Sequence, residues 1–289
     1  MWEKKLIKVT NILGGVIATA SLSSLAMTSC VSSDTFPSIR PTSGLTTIKN
    51  LLSTALVPVG RTFYVWGGGW NGGQTGANQA TTHIGFYQNW EFFFNKYGGD
   101  YNYQDHRYQI YDGLDCSGYV GWVVYNVFNT IDGEPGYVSS STNMAKTFAN
   151  DYGWGELINH SSGASDLSPG NIVSISGHVY IVIGQCDDGS VLLVHSSPAG
   201  VQINGTTTPS GENDSKAIIL ATKYMHEYYP KWDNKFGSES YTRLYATYIN
   251  NTTTEMKWNL SSAYFPFSDP DNFVSKTPET ILQILFNES

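Results

Sequence analysis

Three short runs rich in Val and Ile, at 172–175, 178–183 and 191–195, are separated only by Ser176-Gly177 and by a segment containing Asp188-Gly189. Runs of this length bounded by turn residues predict strands, and connections this short can join only antiparallel neighbours. Leu167-Ser168-Pro169-Gly170-Asn171 supplies the turn that opens the meander. Such a sheet needs a covering layer. Upstream, Val120, Val123, Val124 and Val127 recur at the i, i+3, i+4, i+7 spacing of a buried helix, while Gly118 and Gly121 permit close approach. An α+β domain is predicted, with a central antiparallel meander packed on a helix that starts at Cys116.

The remaining chain is organised around this body. Leu45, Ile48, Leu51, Leu52, Ala55 and Leu56 share a helical face over 45–57, which Pro58 and Gly60 end. The stretch 70–114 is aromatic-rich, and Phe86, Trp90, Phe93, Phe94 and Tyr97 predict one helix capped by Gly98. It reads as an insert that either buries its aromatics against the body or walls a cleft. Residues 204–289 mix a Tyr-rich helical pattern at 224–229, strands near 241–248 and a last helix opened by Thr277-Pro278-Glu279. They are expected to form an extension packed on the body. With 289 residues, one main domain is the expectation.

The amino-terminal 29 residues have the pattern of an export signal: Lys4, Lys5 and Lys8, then a mostly apolar run over 12–27, then small residues before Cys30. Leu25-Ala26-Met27-Thr28-Ser29-Cys30 resembles a bacterial lipobox, which makes Cys30 the lipidated residue and 30–44 a polar tether. The other reading is an ordinary signal peptide with an incidental Cys. Either way the chain is expected outside the cytoplasm, as a lipoprotein on the outer face of a bacterial membrane or secreted to the cell wall. The formal net charge of -8 becomes more negative once the signal is removed. This argues against nucleic acid as a partner and against a membrane, except through a lipid on Cys30. A monomer is expected.

Three cysteines in an exported chain cannot form a disulfide framework. Cys116 and Cys186 could pair with each other, although one opens a helix and the other lies in a turn. Asp115 is a natural N-cap, so Cys116 stands at the positive end of a helix, where a thiolate is favoured. The plain alternative is a buried small residue. His178, at a strand start, can take the thiol proton and return it to a leaving amine. His195 is the candidate third group, holding the imidazole of His178. Direct opposition of the two needs a four-residue loop at 185–188. A two-residue loop at Asp188-Gly189 instead sets His195 opposite Val182, roughly 13 Å along the strand. Metal chemistry finds no support: there is no His-Glu-x-x-His and no paired-Cys spacing, and His83, His106, His160 and His226 are scattered. No metal or cofactor is expected.

Tyr64-Val65-Trp66-Gly67-Gly68, Asp115-Cys116-Ser117-Gly118, Gly177-His178-Val179 and His195 occur in the order of the motifs of the NlpC-type family of papain-like peptidoglycan endopeptidases, and residues 45–203 resemble that family. The resemblance implies a papain-like fold and a cysteine peptidase that cuts peptidoglycan stem peptides, at the bond between γ-D-glutamate and a diamino acid, through an acyl-enzyme. It further implies that Tyr64 helps hold the scissile carbonyl, and that Asp115 and Ser117 recognise the free amine of a trimmed stem peptide. Their plainer roles are a core aromatic, an N-cap and a helix-start residue. Two departures are visible: the 70–114 segment is long, and Asn171 stands where the family commonly has Asp. A CHAP-type N-acetylmuramoyl-L-alanine amidase is the nearest rival, against which the Tyr-x-Trp-Gly-Gly segment argues. An inactive surface-binding lipoprotein is the rival from another class, and the intact Cys116, His178 and His195 set argues against it.

Overall fold

A computed structural model describes residues 37–98, 101–130, 133–160, 166–261 and 266–288. The export signal, Cys30 and residues 30–36 of the expected tether lie outside the described residues. In chain order the principal elements are α1 (Ile48–Leu56), α2 (Gln88–Tyr97), α3 (Cys116–Phe128), the short α4 (Met144–Lys146) and β1 (Gly155–Asn159). The meander follows as β2 (Ile172–Ile175), β3 (His178–Gln185), β4 (Val191–Ser197) and β5 (Gly200–Thr206). The last third adds α5 (Lys216–Tyr228), α6 (Pro230–Phe236), β6 (Thr242–Arg243), α7 (Tyr245–Tyr248), β7 (Thr254–Trp258) and α8 (Pro278–Phe286).

The fold is α+β, and its seven strands form one sheet in the order β1-β7-β2-β3-β4-β5-β6. The meander is antiparallel as expected, but β6 runs parallel to β5, so the sheet is mixed. The expected boundary at 203/204 needs correction. It falls inside β5, and β7 pairs with both β1 and β2 in the interior of the sheet. The chain after 204 therefore completes the sheet, and the described residues fall within one compact unit. The strands expected over 241–248 reduce to the two residues of β6, followed by the helical turn α7.

The two faces of the meander are covered differently. On one, Val179, Ile181, Ile183, Leu192 and Val194 share a core with α3, all of whose residues but Tyr125 are buried. On the other, Tyr180, Val182 and Leu193 pack with Tyr245, Tyr248 and Ile249 from the last third of the chain. Alternation along β3 places His178 on this second face, together with Tyr180 and Val182.

The β3–β4 hairpin departs from both expected registers. Cys186 N donates to Ser190 O at 2.8 Å, which leaves a three-residue loop, Asp187-Asp188-Gly189, with Gly189 at φ +81°. Near the loop Gln185 faces Val191 and Gly184 faces Leu192, whereas further along Val182 faces Leu193 and Ile181 faces Val194. One extra residue, Ile183, is thus accommodated as a bulge. Without it His195 would face Ile181 and point at α3. With it, continuation of the ladder sets His195 opposite Tyr180, on the face of His178, because a one-residue slip exchanges the faces of a strand.

The aromatic insert follows its predicted helix, with Trp90, Phe93 and Phe94 of α2 buried and Gly98 at its C-cap. It is pinned to the body by Tyr101 stacked on Phe63 at 3.9 Å and by Phe94 stacked on Trp232 at 5.8 Å. Its residue Tyr103 also packs edge-on against Tyr64 at 5.6 Å, so one edge of the insert reaches the candidate site.

Candidate active site

The glycines of two separate motifs bring Cys116 to its position. Asp115 N donates to Gly68 O at 2.9 Å, and Val65 N to Leu114 O at 3.3 Å, so the Tyr64–Gly69 segment runs along the approach to α3. A Cβ on Gly118 would lie 2.1 Å from Gly68 O, and one on Gly69 would lie 2.6 Å from the Cα of Gly118. Only glycine lets the two backbones approach this closely. Asp115 then caps the helix: its Oδ1 accepts from Gly118 N at 2.7 Å and from the Ser117 hydroxyl at 2.8 Å. Trp70 Nε1 donates to the same hydroxyl at 2.9 Å. Asp115 and Ser117 are both buried and tie the helix start to the insert.

The Cys116 thiol lies beside the backbone N–H of Val179, the residue after His178, and beside the Ser141 side chain. The neighbouring turn is held by Gly177 N donating to Thr142 Oγ1 at 2.9 Å. Tyr64 is buried beside the thiol. Both Cys116 and Cys186 are free, which removes the disulfide alternative.

His178 and His195 come together. His178 Nε2 lies 2.7 Å from His195 Nδ1, and His195 Nε2 lies 2.9 Å from Asn204 Oδ1. Asn204 Nδ2 donates to the Ser240 carbonyl at 2.8 Å. The Tyr248 ring meets both imidazoles edge-on, each at 5.7 Å, and its hydroxyl accepts from Arg243 Nε at 3.1 Å. Asn204, Ser240, Arg243, Tyr248 and Ser141 had no signal in the sequence, since none lies in a motif or a periodic run with the Cys or either His.

Electrostatics correct one expectation. The helix start was expected to favour the Cys116 thiolate, yet burial, with the Asp115 charge second, pushes the thiol up to about 12. Burial, with the Arg243 charge second, lowers His178 to about 3, and burial carries His195 well below its ordinary value. Burial likewise raises Asp115 to about 6 despite its hydrogen bonds. At neutral pH the resting site therefore holds a thiol and two neutral imidazoles. Within one helical turn, the loss of water outweighs a half-charge at the helix end.

Asn171, the departure from the family pattern, has a local reason. Its Nδ2 donates to Glu255 Oε1, and Glu255 Oε2 meets His160 Nε2 at 2.6 Å. Glu255 is fully buried, so Asp at 171 would set a second carboxylate against it. His160 thus has a structural partner. Among the described residues no cluster of His, Cys, Asp and Glu could hold a metal, and no helix is long and apolar enough to cross a membrane.

No protein-family model, curated protein or solved structure matches the chain. The resemblance to NlpC-type endopeptidases therefore rests on the motif residues themselves.

Proposed function

We propose that the chain is an exported cysteine peptidase of papain-like, NlpC type that hydrolyses peptidoglycan stem peptides, with Cys116 as nucleophile, His178 as base and His195 as its orienting partner. The observation that carries this reading is the seating of a helix-start thiol at the first residues of β3, where His178 Nε2 is already engaged by His195 at 2.7 Å. Nδ1 of His178 is then the nitrogen that accepts the thiol proton. The sulfur attacks the amide carbonyl as His178 takes its proton, the C–N bond breaks, and the proton passes to the leaving amine. Water, deprotonated by His178, hydrolyses the thioester. The Cys116 N–H, among the first-turn groups that a helix leaves without an intrahelical acceptor, and the Tyr64 hydroxyl are the candidate donors to the oxyanion. With a neutral resting pair, the base acts during attack and no preformed thiolate is required.

Support for the bond cleaved comes from the motif resemblance alone, and the γ-D-glutamyl–diamino acid bond is the bond proposed. Asp115 and Ser117 could contribute to amine recognition only through a partial opening of the helix-start network they share with Trp70. The test is product identification from a disaccharide tetrapeptide and from a free tripeptide. Cleavage after γ-D-glutamate, lost in Cys116→Ala with the fold intact, supports the proposal. Release of the intact stem peptide would instead identify the amidase, and full activity in Cys116→Ala would eliminate the cysteine mechanism.

A further inference from the structure

The proton positions in the two imidazoles are decided by a group outside every motif. Asn204 lies on β5 opposite Leu193, on the face that carries His195, and is fully buried. Its amide can be placed in two ways, and its surroundings distinguish them. Ser240 O, a pure acceptor, lies 2.8 Å from one end of the amide and His195 Nε2 lies 2.9 Å from the other. Turning the amide over would set two oxygens against each other at hydrogen-bond distance, so Nδ2 faces Ser240 and Oδ1 faces His195. The Ser240 carbonyl is itself held in place by Gln202 Nε2 at 3.0 Å and Arg243 Nη1 at 2.8 Å. Gln202 is oriented in the same way, because its Oε1 accepts from Trp232 Nε1 at 3.1 Å.

Asn204 Oδ1 can only accept, so His195 Nε2 carries the hydrogen. A neutral His195 then has a bare Nδ1, which must accept from His178 Nε2–H across 2.7 Å. A neutral His178 with its hydrogen on Nε2 has its lone pair on Nδ1, the form a base for Cys116 requires. We propose that Asn204 is a positioning residue whose amide, locked by the Ser240 carbonyl, sets the proton-bearing nitrogen of His195 and, through it, that of His178. The inference rests on the peptidase reading for its purpose but not for its chemistry. It also assigns a role to the last third of the chain, which supplies Ser240 and Arg243.

The test is nitrogen-15 NMR of the imidazoles in the full domain at neutral pH, with the His178 and His195 signals assigned by single replacement of each. In the unaltered protein both rings are expected as the Nε2–H tautomer. Asn204→Leu, of similar size but with no acceptor, should give a mixture in both rings and slow iodoacetamide alkylation of Cys116, read by mass spectrometry, about tenfold or more. Asn204→Asp retains the acceptor oxygen toward His195 and, with a proton on its other oxygen in this buried site, still donates to the Ser240 carbonyl, so it should keep both tautomers. A hydrogen on Nδ1 of either ring in the unaltered protein overturns the proposal, and so do unchanged tautomers in Asn204→Leu. Should the Leu variant fail to fold, the unaltered spectrum and Asn204→Asp decide. None of these readings uses a muropeptide, so failure to hydrolyse one would count against the peptidase reading and leave the tautomer assignment standing or falling on its own spectra.

Discussion

His178 and His195 are diagonal neighbours on adjacent antiparallel strands, and their facing nitrogens, Nε2 and Nδ1, lie 2.7 Å apart. The bulge at Ile183 makes this contact possible, and the segment 238–249 buries it from above. The chemistry proposed for Cys116 therefore depends on parts of the fold that are far apart in sequence.

Replacement of His195 tests that dependence. His195→Leu removes the acceptor for His178 Nε2–H and should lower the rate of Cys116 alkylation, and of any hydrolysis, by about two orders of magnitude or more. His195→Gln, which retains an acceptor oxygen, should retain more of it. Equal rates in the two variants would show that His195 only fills space.

Asp115 has a testable effect on stability. Its carboxyl is raised from 3.8 to about 6 by burial, so the folded chain binds a proton more tightly than the unfolded chain. Stability from this group is present below pH 3.8 and is lost as pH rises through about 6. Asp115→Asn preserves a capping oxygen without the charge. Its advantage over the parent should grow across that window to about 3 kcal/mol at most. The same change removes a charge that raises the Cys116 thiol, so alkylation should begin at lower pH. Denaturant melts at pH 4 and 7 provide the check, and parallel curves would contradict it.

The imidazoles act in the opposite sense. His178 is depressed to about 3, so below pH 6.5 the unfolded chain binds a proton that the folded chain does not. Stability should fall as pH drops from about 6.5 toward 3, and His178→Gln should flatten that fall. An unchanged acid limb in the variant would mean that His178 is protonated in the folded state.

Gly118→Ala should be severe for so small a change. The added methyl would lie 2.1 Å from a backbone oxygen, Gly68 O, which no side-chain rotation relieves. A loss of about 2–4 kcal/mol is expected by thermal or denaturant unfolding, together with slower alkylation of Cys116 as the helix start shifts. Gly72→Ala is the control, since a Cβ there meets nothing within 4 Å.

Truncation after residue 203 should not give a folded domain. The cut divides β5 and removes β7 from between β1 and β2. It also exposes the face that carries His195. Circular dichroism and gel filtration of the 45–203 fragment should report an unfolded or aggregated chain, and a monomeric, alkylation-competent fragment would refute this.

Local features were the legible ones. Asp115 caps α3 as a short acceptor before an apolar repeat should, and Thr277-Pro278 opens α8 in the same manner. The alternation in β3 was readable because Val179, Ile181 and Ile183 face one core while His178 and Tyr180 do not. β1 and β7 have no such signal, because neither Gly155–Asn159 nor Thr254–Trp258 carries a sustained apolar run or a hairpin turn next to its partner. A strand that pairs only with distant segments leaves no local trace.

By itself the sequence determined the motifs and their order, the helix that begins at Cys116 and the α+β character of the chain, because these follow from capping, spacing and period over a few residues. Tertiary structure alone decided three things. The bulge chose the face on which His195 lies, and no spacing in the chain specifies a bulge. Burial overrode the helix end and left Cys116 a thiol, because desolvation depends on everything packed around the group. Finally, the third of the chain that resembles nothing in the motifs closes the sheet and orients the imidazole pair, through contacts whose partners lie tens of residues apart.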